Sequence, residues 1–388
     1  MAEDQNCRGR YGDCVLKTAV IGAGSIGLAA ALVCQKAEHS VTLFDPQGFQ
    51  PKALSFEADP RVWALGLRST QLLTELGAWA SDERLCAYQS MYVIDARSDA
   101  RVTFTEAALG HLVEADWVRN QLLLRVAESG IDCVSERVES VSQRGMLTLS
   151  KNELDADFVI FAEGRQAHTA LASGFEIVDG GYRQTAVVGT LRSEQPHHGE
   201  AFQIFTECGP LALLPLPDRD GEHRVSLVWS LDLDTASELK EYSVETLSLT
   251  ITETSESVRG ALNFVDEPIW IPLSQQSLKQ DSLGCLLAIG DTAHGILPLA
   301  GLGANLGFAD VIALQQTLVK APSARGDRIA RTVARERRFE QRAVAMVMGL
   351  FSNVFRSDQP LLQLGRSFAL RTADRHPTIR SLIQELAG

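Results

Sequence analysis

The chain has 388 residues, 45% of them hydrophobic, and 36 Lys and Arg against 49 Asp and Glu give a formal net charge of −13. That length accommodates two domains or one large composite one, and the acidic balance argues against nucleic acid as a partner. No apolar run approaches bilayer-spanning length, and residues 1–13 lack the apolar stretch of a signal peptide. The cysteines (Cys7, Cys14, Cys34, Cys86, Cys133, Cys208, Cys285) are scattered, odd in number and form no CxxC. Such usage fits a reducing cytoplasm and neither a disulfide framework nor a structural zinc site.

In chain order, the apolar run Val15 to Ile21 reads as a buried parallel strand. It enters Gly22-Ala23-Gly24-Ser25-Ile26-Gly27 and a helix from Leu28. Gly22 permits a sharp turn, Gly24 a close approach of backbone to pyrophosphate, and Gly27 tight packing of helix on strand. The helix N-terminus offers N–H groups to phosphates. Val41 to Asp45 is a second strand, and Asp45, 23 residues after Gly22, falls where a carboxylate binds ribose hydroxyls. Ser69 to Leu76 reads as a helix ending at Gly77, and Trp117 to Ser129 as another ending at Gly130, followed by a strand at Cys133 to Ser135. Phe158 to Ala162 is a strand ending at Glu163-Gly164. This alternation from 15 to 175 predicts a parallel, doubly wound sheet.

From about 176 to 275 the pattern changes to β-rich stretches separated by turns: Gln184 to Leu191, Ala201 to Phe205, Leu211 to Leu216 and Val225 to Leu231. These predict an inserted antiparallel sheet, with turn chemistry at Pro215 to Gly221. The chain then returns through the apolar run Cys285 to Ile289 to a second glycine turn, Gly290-Asp291. The segment Pro298-Leu-Ala-Gly301-Leu-Gly303-Ala-Asn305 leads into a helix through Leu318. Two glycine loops at opposite ends of the sequence point to a ligand contacted by both, and the long pyrophosphate-linked body of FAD suits that requirement. From about 324 the chain reads as helical, with Arg325, Arg328, Arg331, Arg335, Arg338 and Arg342 recurring at spacings of three and four. Residues 321–388 carry twelve arginines against six acids, leaving −19 on the rest. That stripe reads either as a solvated or inter-subunit face or, with the apolar stretch Met346 to Phe355, as a contact with anionic lipid.

The chain resembles the class A flavin monooxygenases, and within them the hydroxylases of ubiquinone biosynthesis, from about residue 15 to the C-terminus. The resemblance rests on Asp59-Pro-Arg61-Val-Trp-Ala64-Leu with its following leucine-rich helix, Tyr182-Arg-Gln184-Thr, Gly209-Pro-Leu-Ala-Leu-Leu-Pro215 and Ser226-Leu-Val-Trp229-Ser230. It rests above all on Ala288-Ile-Gly290-Asp291-Thr-Ala-His294 followed by Pro298-Leu-Ala-Gly301. It implies an α/β fold: a Rossmann-like FAD-binding domain of the para-hydroxybenzoate hydroxylase type, with an inserted antiparallel substrate sheet and C-terminal helices. The FAD-binding domain would occupy 14–175, with a substrate-domain excursion at about 85–110, and resume at 281–322. The substrate sheet would take 176–280 and the helical region 323–388.

Carried over by position, Gly22, Gly24 and Gly27 would hold the pyrophosphate and Asp45 the adenosine ribose, with Arg61 and Arg119 beside the phosphates. Asp291, after Gly290, would accept a ribityl hydroxyl. Gly301, Gly303, Ala304 and Asn305 would turn backbone N–H groups toward the flavin pyrimidine, where reduced flavin carries negative charge. No side chain is expected to act as acid or base. Leu297, Pro298 and Leu302 would lie beside the flavin, and Phe202, Phe205, Leu213, Pro215 and Trp229 are candidate linings of the substrate pocket. The implied reaction uses FAD, NAD(P)H and O2 to place one hydroxyl on the ring of a polyprenyl phenol or benzoquinol. The implied location is cytoplasmic, at the periphery of the inner membrane, in a homo-oligomer or a biosynthetic complex. Where the family carries His and Gln beside the flavin, this chain has Leu297 and Leu302; its Ala115 replaces Asn and its Glu163 replaces Asp. The leucines signal an unusually apolar substrate or lost chemistry. A monooxygenase of a soluble aromatic metabolite and a non-catalytic FAD-binding accessory subunit therefore stay open as alternatives.

Overall fold

The computed structural model describes residues 15–54, 61–96, 100–295 and 303–338. A six-stranded sheet forms around Lys17–Ile21, which pairs in parallel with Ser40–Phe44 on one side and Phe158–Phe161 on the other. Asp132–Val134 and Leu286–Ala288 extend it outward, also in parallel, so strands from both ends of the sequence lie side by side. Only Ser282–Leu283, at the edge, runs antiparallel. The central strands read as apolar runs because both faces are covered.

On one face sit the helices Ser25–Lys36, Ala115–Ser129 and Gly303–Lys320, together with a helix described over 326–338. Their apolar side chains close a common core around Leu28, Leu32, Trp117, Phe308, Leu314 and Ile329. On the other face, Val138–Val141, Met146–Leu149 and Glu153–Asp155 form an antiparallel meander turned at Gly145, which the parallel reading of 15–175 did not anticipate.

The glycine loop shows why its residues are glycine. Gly22 has φ +106°, and a Cβ there would stand 2.3 Å from the carbonyl oxygen of Ala162 on the neighbouring strand. A Cβ at Gly27 would stand 1.9 Å from the Gly22 carbonyl oxygen. The helix Ser25–Lys36 can therefore press onto the strand end only with hydrogen at these positions.

A nine-stranded sheet forms the second layer. Ile177–Ser193 pairs antiparallel with His223–Leu231, which pairs with Gly209–Pro215 and then Glu200–Thr206. Glu200–Thr206 pairs in parallel with Cys86–Asp95, which continues to Ala100–Glu114 and Val62–Gly66. Segments from either side of the Phe158–Phe161 strand thus share one sheet. Leu233–Leu239 and Val244–Thr254, each N-capped by the residue before it (Asp232 and Ser243), cover one face of this sheet. The sequence reading had no helices there, and the omission matters for the site. Among the described residues no helix is long and apolar enough to cross a membrane.

Candidate active site

A cavity of about 540 Å³ runs between the two sheets. At one end it is bounded by Phe44, Asp45, Pro46 and Gln47, just past the second strand, with Glu136, Arg137 and Val138 past the strand Asp132–Val134. Its middle is walled by Gly22, Gly24 and Ser25, by Gly290 and Asp291, and by Glu163 to Thr169. The far end reaches Gly303, Ala304 and Gly307 on the helix Gly303–Lys320, and Ala186, Val188, Val228, Ile271 and Leu273 on the large sheet. Strand ends of an α/β sheet supply one wall, as expected for a ligand at the crevice where strand order reverses.

The lining fits a dinucleotide. Gly24 has ordinary extended backbone, and a Cβ built on it would meet nothing within 4 Å. The space beside it opens to the cavity, where a phosphate could approach the backbone. The helix behind it has no acidic residue in its first turn, so its positive end is not neutralised. Asp45 accepts from the Ala23 N–H at 2.7 Å through Oδ2 and from the Gln47 N–H at 2.8 Å through Oδ1. Its carboxylate is thereby fixed at the cavity edge next to the glycine loop. Arg61 lines the cavity, half-exposed, and donates to Asp116 at 2.8 Å.

The two distal loops are tied to each other. Thr292 donates through Oγ1 to the Gly164 carbonyl at 3.2 Å, and Arg165 Nε lies 3.5 Å from Asp291 Oδ2. Gln276, from the large sheet, donates to the Arg165 carbonyl. The Glu163 carboxylate accepts from the N–H groups of Thr169 and Ala170, at 3.1 and 3.0 Å. The residue that replaces the family's Asp therefore caps the short helix His168–Ala172. Arg165, Glu136, Arg137 and Val138 were missed in the sequence; Glu136 and Arg137 stand on a connection, Val138 opens a four-residue strand and Arg165 lies in a single 3-10 turn, all too short for a periodicity to mark them.

Several expectations are corrected by the geometry. Arg119 is not among the lining residues: its guanidinium donates to the carbonyls of Ala23 (3.0 Å), Gln50 (3.1 Å) and Gly48 (3.5 Å), bracing the glycine loop from outside. Asn305, of which only the backbone N–H was expected at the flavin, is not among the lining residues, and its side chain is engaged elsewhere. Its Oδ1 accepts from Gly66 N and Ser69 Oγ, and its Nδ2 donates to the Ala64 carbonyl, so it pins the helix to the strand Val62–Gly66. Phe202, Leu213 and Trp229 lie on the wrong face of the large sheet, in a core closed by the helices of 233–254. Pro215 is paired with Val225 of that same core, and Phe205 sits near the far end of its strand, outside the lining. Side chains alternate between faces, so Val228 reaches the cavity where its neighbour Trp229 cannot. His197 is half-buried, with its ring bound to the Leu216 carbonyl and the Gly199 N–H, and burial lowers its pKa. Leu297, Pro298, Gly301 and Leu302 lie outside the described residues, as does Arg342. No group of His, Cys, Asp and Glu able to hold a metal ion occurs among the described residues.

The arginine stripe divides. Arg325, Arg328, Arg331, Arg335 and Arg338 are exposed, with Arg331 paired to Asp327 at 2.8 Å. Arg337, which falls outside the stripe, is buried and donates to Asp310.

Comparison with known proteins agrees with this site. Residues 135–347, more than half of the chain, match the model of the FAD binding domain family. The chain is 28% identical to the mitochondrial ubiquinone biosynthesis monooxygenase COQ6 of Xenopus tropicalis, over 97% of this chain and 94% of that protein. It is 27% identical to the 3-demethoxyubiquinol 3-hydroxylase of Escherichia coli, over 92% and 94%. Its fold is similar to that of 2-methyl-3-hydroxypyridine-5-carboxylic acid oxygenase, with a TM-score of 0.70 and 14% identity over 96% of each chain. With two glycine loops converging on one cavity and a family model matching more than half of the chain, the second loop included, the chain belongs to the FAD binding domain family and is a class A FAD-dependent monooxygenase.

Proposed function

We propose that this monooxygenase hydroxylates the aromatic ring of a polyprenyl phenol or benzoquinol in ubiquinone biosynthesis, with NAD(P)H as reductant. The observation that carries the reading is the sheet wall of the cavity, Ala186, Val188, Val228, Ile271 and Leu273, which is aliphatic throughout. A ring bearing a hydrocarbon tail loses little by leaving water for such a wall, whereas a carboxylate would be desolvated there without a partner. Two relatives carry ubiquinone or demethoxyubiquinol in their names, which supports the same substrate class.

Bound FAD supplies the redox chemistry, accepting hydride and activating O2. The residues of the chain bind, orient and exclude water. Gly22, Gly24 and Ser25 would hold the pyrophosphate, with Arg61 at its flank, Asp45 the adenosine ribose, and Asp291 the ribityl chain. The N–H groups of Gly303 and Ala304 would face the flavin pyrimidine, where negative charge accumulates on reduction. The aliphatic wall would then hold the substrate ring against the flavin and keep water out. The exposed arginines of 325–338 would suit an anionic membrane surface, from which a prenylated substrate is drawn.

A second reading, a non-catalytic FAD-binding subunit, is favoured by Leu297 and Leu302, which replace polar groups of the family. Purified protein assayed for NADPH oxidation separates the readings. Acceleration by a short-chain prenylated phenol, with hydroxylated product, supports the hydroxylase. FAD binding without substrate-dependent turnover supports the subunit, and efficient hydroxylation of hydroxybenzoate moves the protein to soluble metabolites.

A further inference from the structure

Beneath the Gly290-Asp291 turn lies an ionic cluster that the proposed chemistry does not use. Asp310, on the helix Gly303–Lys320, is 1% exposed; His294 is 8% and Arg337 4%. Asp310 Oδ2 accepts from the Gly290 N–H at 2.8 Å and lies 2.6 Å from His294 Nε2, while Oδ1 accepts from Arg337 Nε at 2.7 Å. One carboxylate thus joins the turn, the short helix after it (Asp291–His294) and the helix described over 326–338.

Buried ion clusters are weak contributors to stability, since hydrophobic residues of similar volume often do as well. Placement is what distinguishes this one. Gly290 has φ +59° and ψ −147°, backbone open essentially only to glycine. In that conformation its N–H points at Asp310, and the next residue, Asp291, lines the cavity. Without an acceptor below, the Gly290 N–H would be buried and unpaired; the other ties on the turn, from Ala293 and His294 N–H to the Gly290 carbonyl and from Thr292 to the Gly164 carbonyl, leave that N–H unanswered.

We propose that Asp310, fixed by His294 and Arg337, is the positioning residue for the Gly290-Asp291 turn, so that docking of the 326–338 helix sets how tightly FAD is held. The proposal rests on FAD occupying the cavity as read above. Charge-assisted bonds of this kind fix geometry as well as add energy.

The test titrates apo-protein with FAD for wild type, Asp310→Asn, Arg337→Gln, Arg337→Lys and His294→Gln, recording affinity, the visible circular dichroism of bound flavin and the apo melting midpoint. Asp310→Asn and Arg337→Gln should weaken FAD about ten-fold or more and alter the flavin dichroism. Arg337→Lys, which keeps a charged donor, should recover much of the Arg337→Gln loss. A purely structural role would lower the melting midpoints while leaving affinity and dichroism of the folded fraction as in wild type, and that result overturns the proposal. If Asp310→Asn does not fold, Arg337→Gln and His294→Gln decide, an affinity within about two-fold of wild type in both being the overturning result. A wild type that binds no FAD would sink the reading of the cavity itself.

Discussion

Gly22 and Gly24 stand two residues apart in one motif, yet they should fail in opposite ways. At Gly22 a Cβ meets the Ala162 carbonyl oxygen at 2.3 Å and its carbon at 2.7 Å, on backbone at φ +106°. Neither strand can yield without breaking the parallel pairing of Ile21 with Phe161. Left-handed strain of about 1–3 kcal/mol and overpacking of a further ~1–3 kcal/mol predict that Gly22→Ala lowers apo-protein stability by about 2–6 kcal/mol. At Gly24 the backbone is extended (φ −72°, ψ 171°) and the added carbon meets nothing within 4 Å. Gly24→Val should lose only a preferred N-cap residue, about 1 kcal/mol, but its side chain occupies the space through which a phosphate approaches. FAD affinity should fall by about 100-fold or more, a loss of at least ~2.7 kcal/mol. Urea melts of both apo-proteins, paired with FAD titrations, check the contrast. If Gly24→Val binds FAD as wild type does, or destabilises the apo-protein as much as Gly22→Ala, the placement of the cofactor along this loop is wrong.

Other expectations follow from the same geometry. Asp291→Ala should weaken FAD roughly 10- to 100-fold, the value of a charge-assisted hydrogen bond at ~1.5–3 kcal/mol; an unchanged titration would place the carboxylate elsewhere. Val228→Asp should depress kcat/KM for a prenylated phenol at unaltered FAD affinity, because it puts a charge on the aliphatic wall. Trp229→Phe, one residue on, should leave KM unchanged and cost about 1–3 kcal/mol of stability through the cavity it leaves, with no hydrogen bond lost because its indole N–H has no partner among the described residues. The reverse pattern in steady-state kinetics would invert the assignment of faces.

The buried cluster also makes stability depend on pH. Burial pulls the His294 pKa down, but the Asp310 carboxylate outweighs it and holds it above the usual value. Burial raises Asp310, and His294 with Arg337 overcome it, leaving a pKa well below the usual range. The histidine's contribution is complete below its unfolded pKa of about 6.5 and is lost as pH rises through the raised folded value. The aspartate's is complete above about 3.9 and is lost as pH falls toward its folded pKa. The excess stability of wild type over Asp310→Asn should therefore be greatest between about pH 4 and 6.5 and shrink on both sides. A difference in urea midpoint that stays constant across pH would contradict this.

Local rules carried a good deal of this protein. The strand–glycine–helix unit at 17–36, Asp45 at the end of the second strand and the second glycine turn at Gly290 were legible because each depends on neighbours in sequence: a short apolar run, a backbone angle, a missing Cβ. The cofactor followed from two such units. Which residues face the cavity did not follow. In the strand His223–Leu231 Val228 and Trp229 are adjacent and both apolar, so either looks fit for the pocket, and only the helices of 233–254 packed on one face settle which side is the core. Arg119 and Asn305 sit where the motif places them, yet their polar groups are claimed by carbonyls and N–H groups far along the chain. Arg337 and Asp310, 27 residues apart and on different helices, carry opposite charges that no periodicity pairs. Backbone turns are written in local residue choice; the partner of a buried polar group is decided only when distant segments pack together and remove the water that would otherwise have served.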